Sequence, residues 1–178
     1  LNTAPDGKNI NLNCGSTNME VIRKAVLEND VDMGFSFDGD ADRCLAVDEK
    51  GNIMDGDHIL AAMAKSYKEK DELTNNAVVG TVMSNIGLKK YLDSIDVDFV
   101  AAKVGDRFVL EQMLEHNYIL GAEQSGHVIF LNDSTTGDGT FTALKICELV
   151  ASSINKLSYF NELMVSYPQV LVNAKVKL

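Results

Sequence analysis

The sequence lacks several features that define whole classes of protein. No run of apolar residues approaches the roughly 20 that a membrane-spanning helix needs, so no membrane span is expected. The sequence starts with neither a basic nor an apolar segment, so no signal peptide is expected either. Cysteines number only three and form no Cys-x-x-Cys pair, which argues against a zinc finger or a disulfide framework. We therefore expect reduced thiols and a cytoplasmic location.

Basic residues are also scarce. The 178 residues include 16 Lys and Arg against 26 Asp and Glu, and the resulting net charge of −10 argues against a general nucleic-acid-binding face. An anionic ligand such as a phosphate would therefore need a bound metal ion or a local cluster of cations. Hydrophobic residues make up 46% of the chain and charged residues 24%, which is typical of a globular protein.

The hydrophobic pattern alternates between strands and helices. Thr17–Glu20 has the spacing of a capping box that would start the first helix, and Asp57 is positioned to cap the second. Lys68–Asn76 is the best candidate for a linker, and Val170–Leu178 has a strand-like alternation. Three further helix starts are expected at Asn85, Asp106 and Asp138. The pattern predicts an α/β fold of two layered units with mixed sheets covered by helices, the first unit being incomplete.

The most informative segment follows the first long predicted strand. We call residues 38–43 the aspartate loop, in which Asp38, Asp40 and Asp42 alternate with two small residues. Such a turn can fold three carboxylates around one hard divalent cation, which binds oxygen ligands at about 2.0–2.6 Å. Without a cation, three neighbouring negative charges would repel one another. Arg43 is suited to bind a phosphate oxygen that is shared with the metal.

Three other interpretations of the aspartate loop compete with a metal site. The simplest is an acidic surface turn. An EF-hand would place Arg43 at the position that needs glycine for a sharp turn, and the flanking segments are strands rather than helices. A haloacid-dehalogenase-type phosphatase also has aspartates after a strand, but no partner lysine and acid are recognisable. A magnesium site is therefore the favoured interpretation.

The aspartate loop resembles the magnesium loop of the α-D-phosphohexomutase superfamily. Three further segments match that superfamily in the same order, namely Asn9–Thr17, Lys103–Arg107 and Gly121–His127. We call the last of these the sugar loop, because it resembles the loop that recognises the sugar. The phosphoglucosamine mutases are the branch most similar in the segments Thr81–Asn85, Lys103–Arg107, Gly121–His127 and Thr135–Gly139.

The resemblance implies four domains around one cleft. Residues 1–72 would form the end of the second, metal-binding domain and residues 73–172 the third, sugar-binding domain. Residues 173–178 would begin the connection to a fourth domain, which grips phosphate. The first domain, with its phosphoserine, and the fourth domain would be partners outside this chain. By itself, the chain is therefore expected to be catalytically inactive.

The resemblance also implies a reaction. Glucosamine 6-phosphate and glucosamine 1-phosphate would interconvert through a phosphoserine enzyme and a sugar bisphosphate, on the route to UDP-N-acetylglucosamine and the cell wall. Mg²⁺ would bind to Asp38, Asp40 and Asp42, with Arg43 beside it as a catalytic residue. The partners would be the phosphorylated hexosamine and its bisphosphate, with no nucleic acid and no membrane.

By the same resemblance, residues in two later loops would contact the substrate. Glu123 and Ser125 would bind the sugar hydroxyls, and His127 would act as an acid–base near the reacting oxygen. Lys103 and Arg107, together with a helix N-terminus, would hold an anion. A structural histidine and ordinary helix capping are the competing interpretations. The other two histidines, His58 and His116, are expected at the surface.

Two alternatives to this function stay open. One is a related mutase that acts on phosphomannose or phosphoglucose. The other is a non-catalytic module that binds a metal ion or a sugar phosphate. A metal-dependent phosphatase, in contrast, would hydrolyse a sugar phosphate in the 178-residue form.

Overall fold

The computed structural model describes residues 1–170 and residue 172. Helices and strands follow in the order α1 (Glu20–Asn29), β1 (Met33–Phe37), β2 (Cys44–Asp48), β3 (Ile53–Met54), α2 (Gly56–Glu69), β4 (Ala77–Thr81), α3 (Ile86–Ser94), β5 (Asp98–Ala102), α4 (Asp106–His116), β6 (Leu120–Ala122), β7 (Val128–Phe130), α5 (Gly139–Ala151) and α6 (Leu157–Asn161). A short 3-10 helix, Thr74–Asn76, precedes β4. The predicted strand Val170–Leu178 and the predicted connection at 173–178 fall almost wholly outside the described residues.

The strands form two sheets. The first has the order β1-β2-β3 and is antiparallel, with the aspartate loop joining β1 to β2. The second has the order β5-β4-β6-β7, in which β4 is parallel to β5 and β6 while β7 is antiparallel to β6. Parallel neighbours need a crossover connection, and α3 and α4 provide the two crossovers.

A continuous hydrophobic core lies between the two sheets. Met54 of the first sheet shares one cluster with Ile59 and Leu60 of α2 and with Val78 and Leu120 of the second sheet. Burial of each such side chain stabilises the fold by about 1.5–3 kcal/mol. Helix α2 contacts β3 as well as β4, β6, α3, α5 and α6. The domain boundary at residue 72 stays a prediction, and the core is continuous across it.

Two expected helix caps are wrong. Residues 15–18 form a turn in which Ser16 donates its N–H to the Phe37 carbonyl, so α1 begins after Met19 without a side-chain cap from Thr17. Helix α2 is capped by Asp55, whose carboxylate accepts the His58 N–H at 3.1 Å. The expected caps at Asn85 and Asp138 are confirmed. Helix α4 begins at Asp106 as expected, although the residue before it makes no side-chain cap.

The cysteines and the helices agree with two simple expectations. Cys14, Cys44 and Cys147 are all free thiols. Burial raises the pKa of the Cys44 thiol to about 12, which makes it unreactive as a nucleophile. Within residues 1–170, no helix combines the length and the apolar character that crossing a membrane requires.

Candidate functional site

The aspartate loop brings its three carboxylates together. Asp38, Asp40 and Asp42 each offer one oxygen, and these oxygens lie within 4.8 Å of one another. Two hydrogen bonds within the loop stabilise its conformation. The Asp38 carboxylate accepts the Arg43 N–H at 3.2 Å, and the Asp38 carbonyl accepts the Ala41 N–H at 3.3 Å. Ala41 adopts the left-handed conformation that this tight turn requires.

The charge of this cluster is only partly balanced. Arg43 Nε lies 3.6 Å from Asp38 Oδ2 and 3.8 Å from Asp42 Oδ1, and its side chain is 44% exposed. One guanidinium therefore faces a cluster of three carboxylates, so the cluster keeps a net negative charge. Arginine carries five N–H donors, so Arg43 can also bind an oxyanion from outside.

The environment of one buried oxygen indicates whether a cation fits the aspartate loop. Asp42 Oδ1 is buried and has no hydrogen-bond partner in the described part of the chain. Leaving such a group unsatisfied costs about 1–3 kcal/mol, and more when the group is charged. A hard divalent cation such as Mg²⁺ binds carboxylate oxygens and would satisfy this atom. The donor set of the aspartate loop therefore fits that ion.

The sugar loop connects β6 to β7 and lies against the aspartate loop. The Gly126 carbonyl accepts the Cys44 N–H at 3.0 Å, and a β-bridge joins Arg43 to His127. Gly126 has a positive φ of 96°, and a Cβ there would lie 2.5 Å from the Cys44 carbonyl oxygen. Ser125, one residue earlier, is exposed. The two loops that the sequence singled out thus share one edge of the molecule.

Glu123 of the sugar loop is tied to the loop at 103–107. Its Oε1 accepts the Gly105 N–H at 2.9 Å, while the side chain stays partly exposed. Lys103 is exposed, with its Nζ 5.6 Å from the centre of the Phe108 ring. Arg107 is 80% exposed and contacts Glu111 at 2.8 Å. The loop reaches the site through its backbone, and anion binding by Lys103 and Arg107 stays a prediction.

His127 is buried, with only 3% of its surface exposed. Its Nδ1 lies 3.0 Å from Asp42 Oδ2. Its Nε2 accepts the backbone N–H of Gly137 at 3.1 Å. Both ring nitrogens therefore have partners inside the chain, and the expected role in proton transfer at the substrate stays a prediction.

A third segment takes part in the site, although the sequence indicated only a resemblance to the mutases and a helix cap at Asp138 there. We call Thr135–Gly139 the glycine turn. Its Gly139 donates an N–H to the Ala41 carbonyl at 2.9 Å. A Cβ on Gly137 would lie 2.6 Å from His127 Nε2, and one on Gly139 would lie 2.5 Å from the Arg43 carbonyl. Two glycines at alternate positions around the start of a helix were the available signal of this close contact.

The start of α2 supports the sugar loop. Gly56 donates its N–H to the Gln124 carbonyl at 3.0 Å, and a Cβ on Gly56 would clash with the Glu123 carbonyl at 1.9 Å.

Next to Gly56, burial raises the pKa of Asp57 to about 6. His58 was expected at the surface but is only partly exposed, because its ring lies between Asp55 at 2.6 Å and Ser166 at 3.2 Å. His116 is exposed as expected.

Comparison with known sequences identifies close relatives. A family model described as phosphoglucomutase/phosphomannomutase, alpha/beta/alpha domain III, matches residues 55–167. The chain is 59% identical over 175 residues to the phosphoglucosamine mutase of Finegoldia magna, and 56% identical over 176 residues to that of Clostridium acetobutylicum. These matches cover 98% and 99% of the chain but only 39% of each relative. The chain thus spans well under half the length of these curated relatives.

Solved structures share the fold. The TM-score is 0.73 with a phosphoglucomutase/phosphomannomutase family protein of Burkholderia thailandensis, at 24% identity, covering 88% of this chain and 33% of that one. It is 0.71 with Aspergillus fumigatus N-acetylphosphoglucosamine mutase in complex with GlcNAc-6P and magnesium, at 18% identity, covering 93% of this chain and 42% of that one. At these identities the likeness concerns the fold alone, and it confirms the predicted α/β class.

Proposed function

The chain belongs to the phosphoglucomutase/phosphomannomutase family, and on that premise we propose that it forms the metal- and sugar-binding part of a phosphoglucosamine mutase. The whole enzyme would interconvert glucosamine 6-phosphate and glucosamine 1-phosphate through a phosphoserine and a sugar bisphosphate. One structural observation carries the proposal: His127 of the sugar loop contacts Asp42 of the aspartate loop at 3.0 Å. A sugar bound by the sugar loop would therefore have its phosphate near the aspartate loop. The names of the relatives in F. magna and C. acetobutylicum support this choice of substrate.

In this proposal the aspartate loop handles the transferred phosphoryl group. Asp38, Asp40 and Asp42 would hold Mg²⁺, which when bound would neutralise and polarise phosphoryl oxygens. Arg43 adds a positive charge beside the same carboxylates and is exposed enough to bind a phosphate oxygen. Together these residues would supply positioning and charge neutralisation, which are the main needs of phosphoryl transfer.

The sugar loop would orient the hexosamine. One oxygen of Glu123 is held by the Gly105 N–H, which fixes the carboxylate and leaves its other oxygen to accept a sugar hydroxyl. Ser125 is exposed beside it and can both donate and accept. Lys103 and Arg107 would approach the phosphate at the far end of the sugar. No loop of the sequence matches a phosphoserine loop, so the nucleophile would come from another domain.

A mutase assay on the whole protein that carries this chain tests the proposal. The protein is primed with glucose 1,6-bisphosphate and incubated with glucosamine 6-phosphate and Mg²⁺, and formation of glucosamine 1-phosphate is followed. We expect turnover that Asp40→Asn reduces by at least about 100-fold. Asp93→Asn, at an exposed position of α3, is the matched control and should keep full activity. Equal activity in the two variants would contradict the metal site.

The same assay separates the alternatives. A clear preference for mannose or glucose phosphates over the glucosamine phosphates would assign the protein to a related mutase. Steady Mg²⁺-dependent phosphate release by the 178-residue chain alone would indicate a phosphatase instead. Tight sugar-phosphate binding without turnover in the whole protein would favour a binding module.

A further inference from the structure

The ring of His127 is the middle of a short hydrogen-bonded chain. A backbone amide can only donate, so the bond from the Gly137 N–H to Nε2 requires that Nε2 carries no proton. The ring proton is then on Nδ1, which faces Asp42 Oδ2 at 3.0 Å. Both hydrogen bonds therefore run in the same donor-to-acceptor direction, from the Gly137 amide through the His127 ring to the Asp42 carboxylate.

In this series of hydrogen bonds, the two oxygens of the Asp42 carboxylate have different environments. Oδ2 accepts the Nδ1–H of His127, while Oδ1 is buried and has no hydrogen-bond partner among the described residues. Arg43 Nε is 3.8 Å from Oδ1, beyond hydrogen-bond range. Oδ1 is thus the oxygen left to a cation, and the bond at Oδ2 prevents the carboxylate from rotating away.

The glycine turn holds the ring in this orientation. Gly137 approaches so closely that a Cβ would lie 2.6 Å from both Cε1 and Nε2 of His127. The next glycine, Gly139, fixes the same turn to the aspartate loop through the Ala41 carbonyl at 2.9 Å. The turn, the ring and the loop therefore form one unit, although nearly 100 residues separate Ala41 from Gly139.

We propose that His127 is a positioning residue for the cation site: its Nδ1–H orients Asp42, and the Gly137 amide fixes the tautomer that makes this bond possible. The inference rests on the proposed function, because the cation is the Mg²⁺ of that site. Residues that orient a metal ligand in this way typically change metal affinity by about 10–100-fold when they are removed. His127 then acts on the reaction through Asp42 and needs no free nitrogen at the substrate.

Two substitutions of His127 separate positioning from proton transfer. In His127→Asn the side-chain amide can replace the Nδ1–H and donate to Asp42, whereas His127→Gln carries its amide near the Nε2 position and loses that bond. We expect His127→Gln to weaken Mg²⁺ and Mn²⁺ binding by about 10–100-fold. His127→Asn should recover most of the affinity. The exposed His116→Gln should bind like the unsubstituted protein.

The measurements are calorimetry with Mg²⁺ and electron paramagnetic resonance with Mn²⁺, both on the whole protein, with circular dichroism to check folding. Native affinity in folded His127→Gln overturns the proposal, and lost turnover in that variant would return His127 to proton transfer. A loss of binding in His127→Asn as large as in His127→Gln also overturns it, because the effect then follows from packing. An unsubstituted protein that binds no metal would instead contradict the cation site of the proposed function.

A spectroscopic measurement tests the tautomer directly. Long-range ¹H–¹⁵N correlation spectra distinguish a protonated Nδ1 from a protonated Nε2, and the His127 signals are identified by their absence in His127→Asn. We expect a proton on Nδ1 and none on Nε2. A proton on Nε2 would overturn the proposal, and this test holds even when His127→Gln does not fold.

Discussion

Asp40 is the exposed member of the three carboxylates in the aspartate loop, and its side chain makes no hydrogen bond within the described residues. Its neighbours Asp38 and Asp42 are each engaged by Arg43, His127 or the loop backbone. Asp40 therefore contributes charge to the site without contributing to the folded structure of the loop. This separation makes Asp40 the best residue at which to probe the proposed metal site alone.

We predict that Asp40→Asn slightly raises the melting temperature of the metal-free protein and abolishes the rise that Mg²⁺ produces. Removing one of three neighbouring negative charges relieves repulsion, and the surface position keeps the change within about 0.5 kcal/mol. Thermal melts with and without Mg²⁺ measure both effects. Asp93→Asn serves as the control, and an unchanged response to Mg²⁺ in Asp40→Asn would contradict the prediction.

At the scale of elements, the starts of α2 and α3 are joined by a buried carboxylate. Asp57 is fully buried, and its Oδ2 accepts the Asn85 N–H at 2.6 Å, while its Oδ1 has no partner among the described residues. Burial is the largest cause that raises the pKa of Asp57 from 3.8 to about 6. The folded protein therefore holds a proton that the unfolded chain has already released between these two pH values.

The consequence is a pH-dependent free energy of unfolding. Because the folded state binds the extra proton, its stability relative to the unfolded chain falls as the pH rises from about 4 to about 6 and levels off above. We predict that Asp57→Asn removes this dependence, since an amide oxygen can still accept the Asn85 N–H without a charge. The free energy of unfolding of Asp57→Asn, relative to that of the unsubstituted protein, should be higher at pH 7 than at pH 4 by up to about 3 kcal/mol.

Urea titrations of both proteins at pH 4, 5, 6 and 7 measure this difference. All other ionisable groups are present in both proteins, so their contributions largely cancel in the difference. A difference in the free energy of unfolding that stays constant across the four pH values would contradict the prediction.

A second connection between elements runs through the side chain of Asn85. Its Oδ1 accepts the N–H groups of Gly87 and Tyr167 at 2.9 and 3.0 Å, and its Nδ2 donates to the Tyr167 carbonyl at 2.8 Å. The same Nδ2 reaches Gln169 Oε1 at 3.1 Å. One side chain thus caps α3 and holds the irregular segment that follows α6.

We predict that Asn85→Ala lowers the free energy of unfolding by about 2–4 kcal/mol, because it removes a helix cap and leaves buried backbone groups unpaired. Hydrogen exchange should rise at Tyr167 as well as at Gly87. Asn85→Asp keeps the cap acceptor but removes the donor to the Tyr167 carbonyl, so in this variant exchange should rise chiefly at the amides of Tyr167 and Gln169. Native protection of Tyr167 in both variants would contradict the prediction.

At the scale of the whole molecule, the candidate site lies where the two sheets meet. The aspartate loop extends the first sheet, and the sugar loop connects two strands of the second. The β-bridge between Arg43 and His127 joins them, and one hydrophobic cluster continues from Met54 through α2 to Val78. The geometry of the site therefore depends on the packing of both sheets.

We predict that the regions 1–72 and 73–172 unfold together in a single cooperative transition. Their shared core means that unfolding of either region would expose buried apolar surface of the other. Circular dichroism and hydrogen exchange at Val47 and Val79, followed across a denaturant titration, give the test. Two separate midpoints would show that the boundary at residue 72 divides independent folding units.

Features that depend on neighbouring residues followed from the amino-acid sequence alone. Alternation of strand and helix patterns was sufficient for the α/β class, and local capping chemistry was sufficient at Asn85 and Asp138. The three carboxylates of the aspartate loop were readable as one cluster, because alternate residues of a tight turn are close in any fold that contains it. These inferences needed no knowledge of distant contacts.

Features that join distant parts of the chain depend on tertiary packing. Nothing near His127 in the sequence shows that its ring lies between Asp42 and Gly137, and nothing near Asp57 shows that it is buried against Asn85. The resemblance suggested proton transfer for His127, and local spacing suggested a cap for Asp57. Tertiary packing gave both side chains other partners, because most buried polar groups pair with a donor or acceptor that the fold brings close, wherever it lies in the sequence.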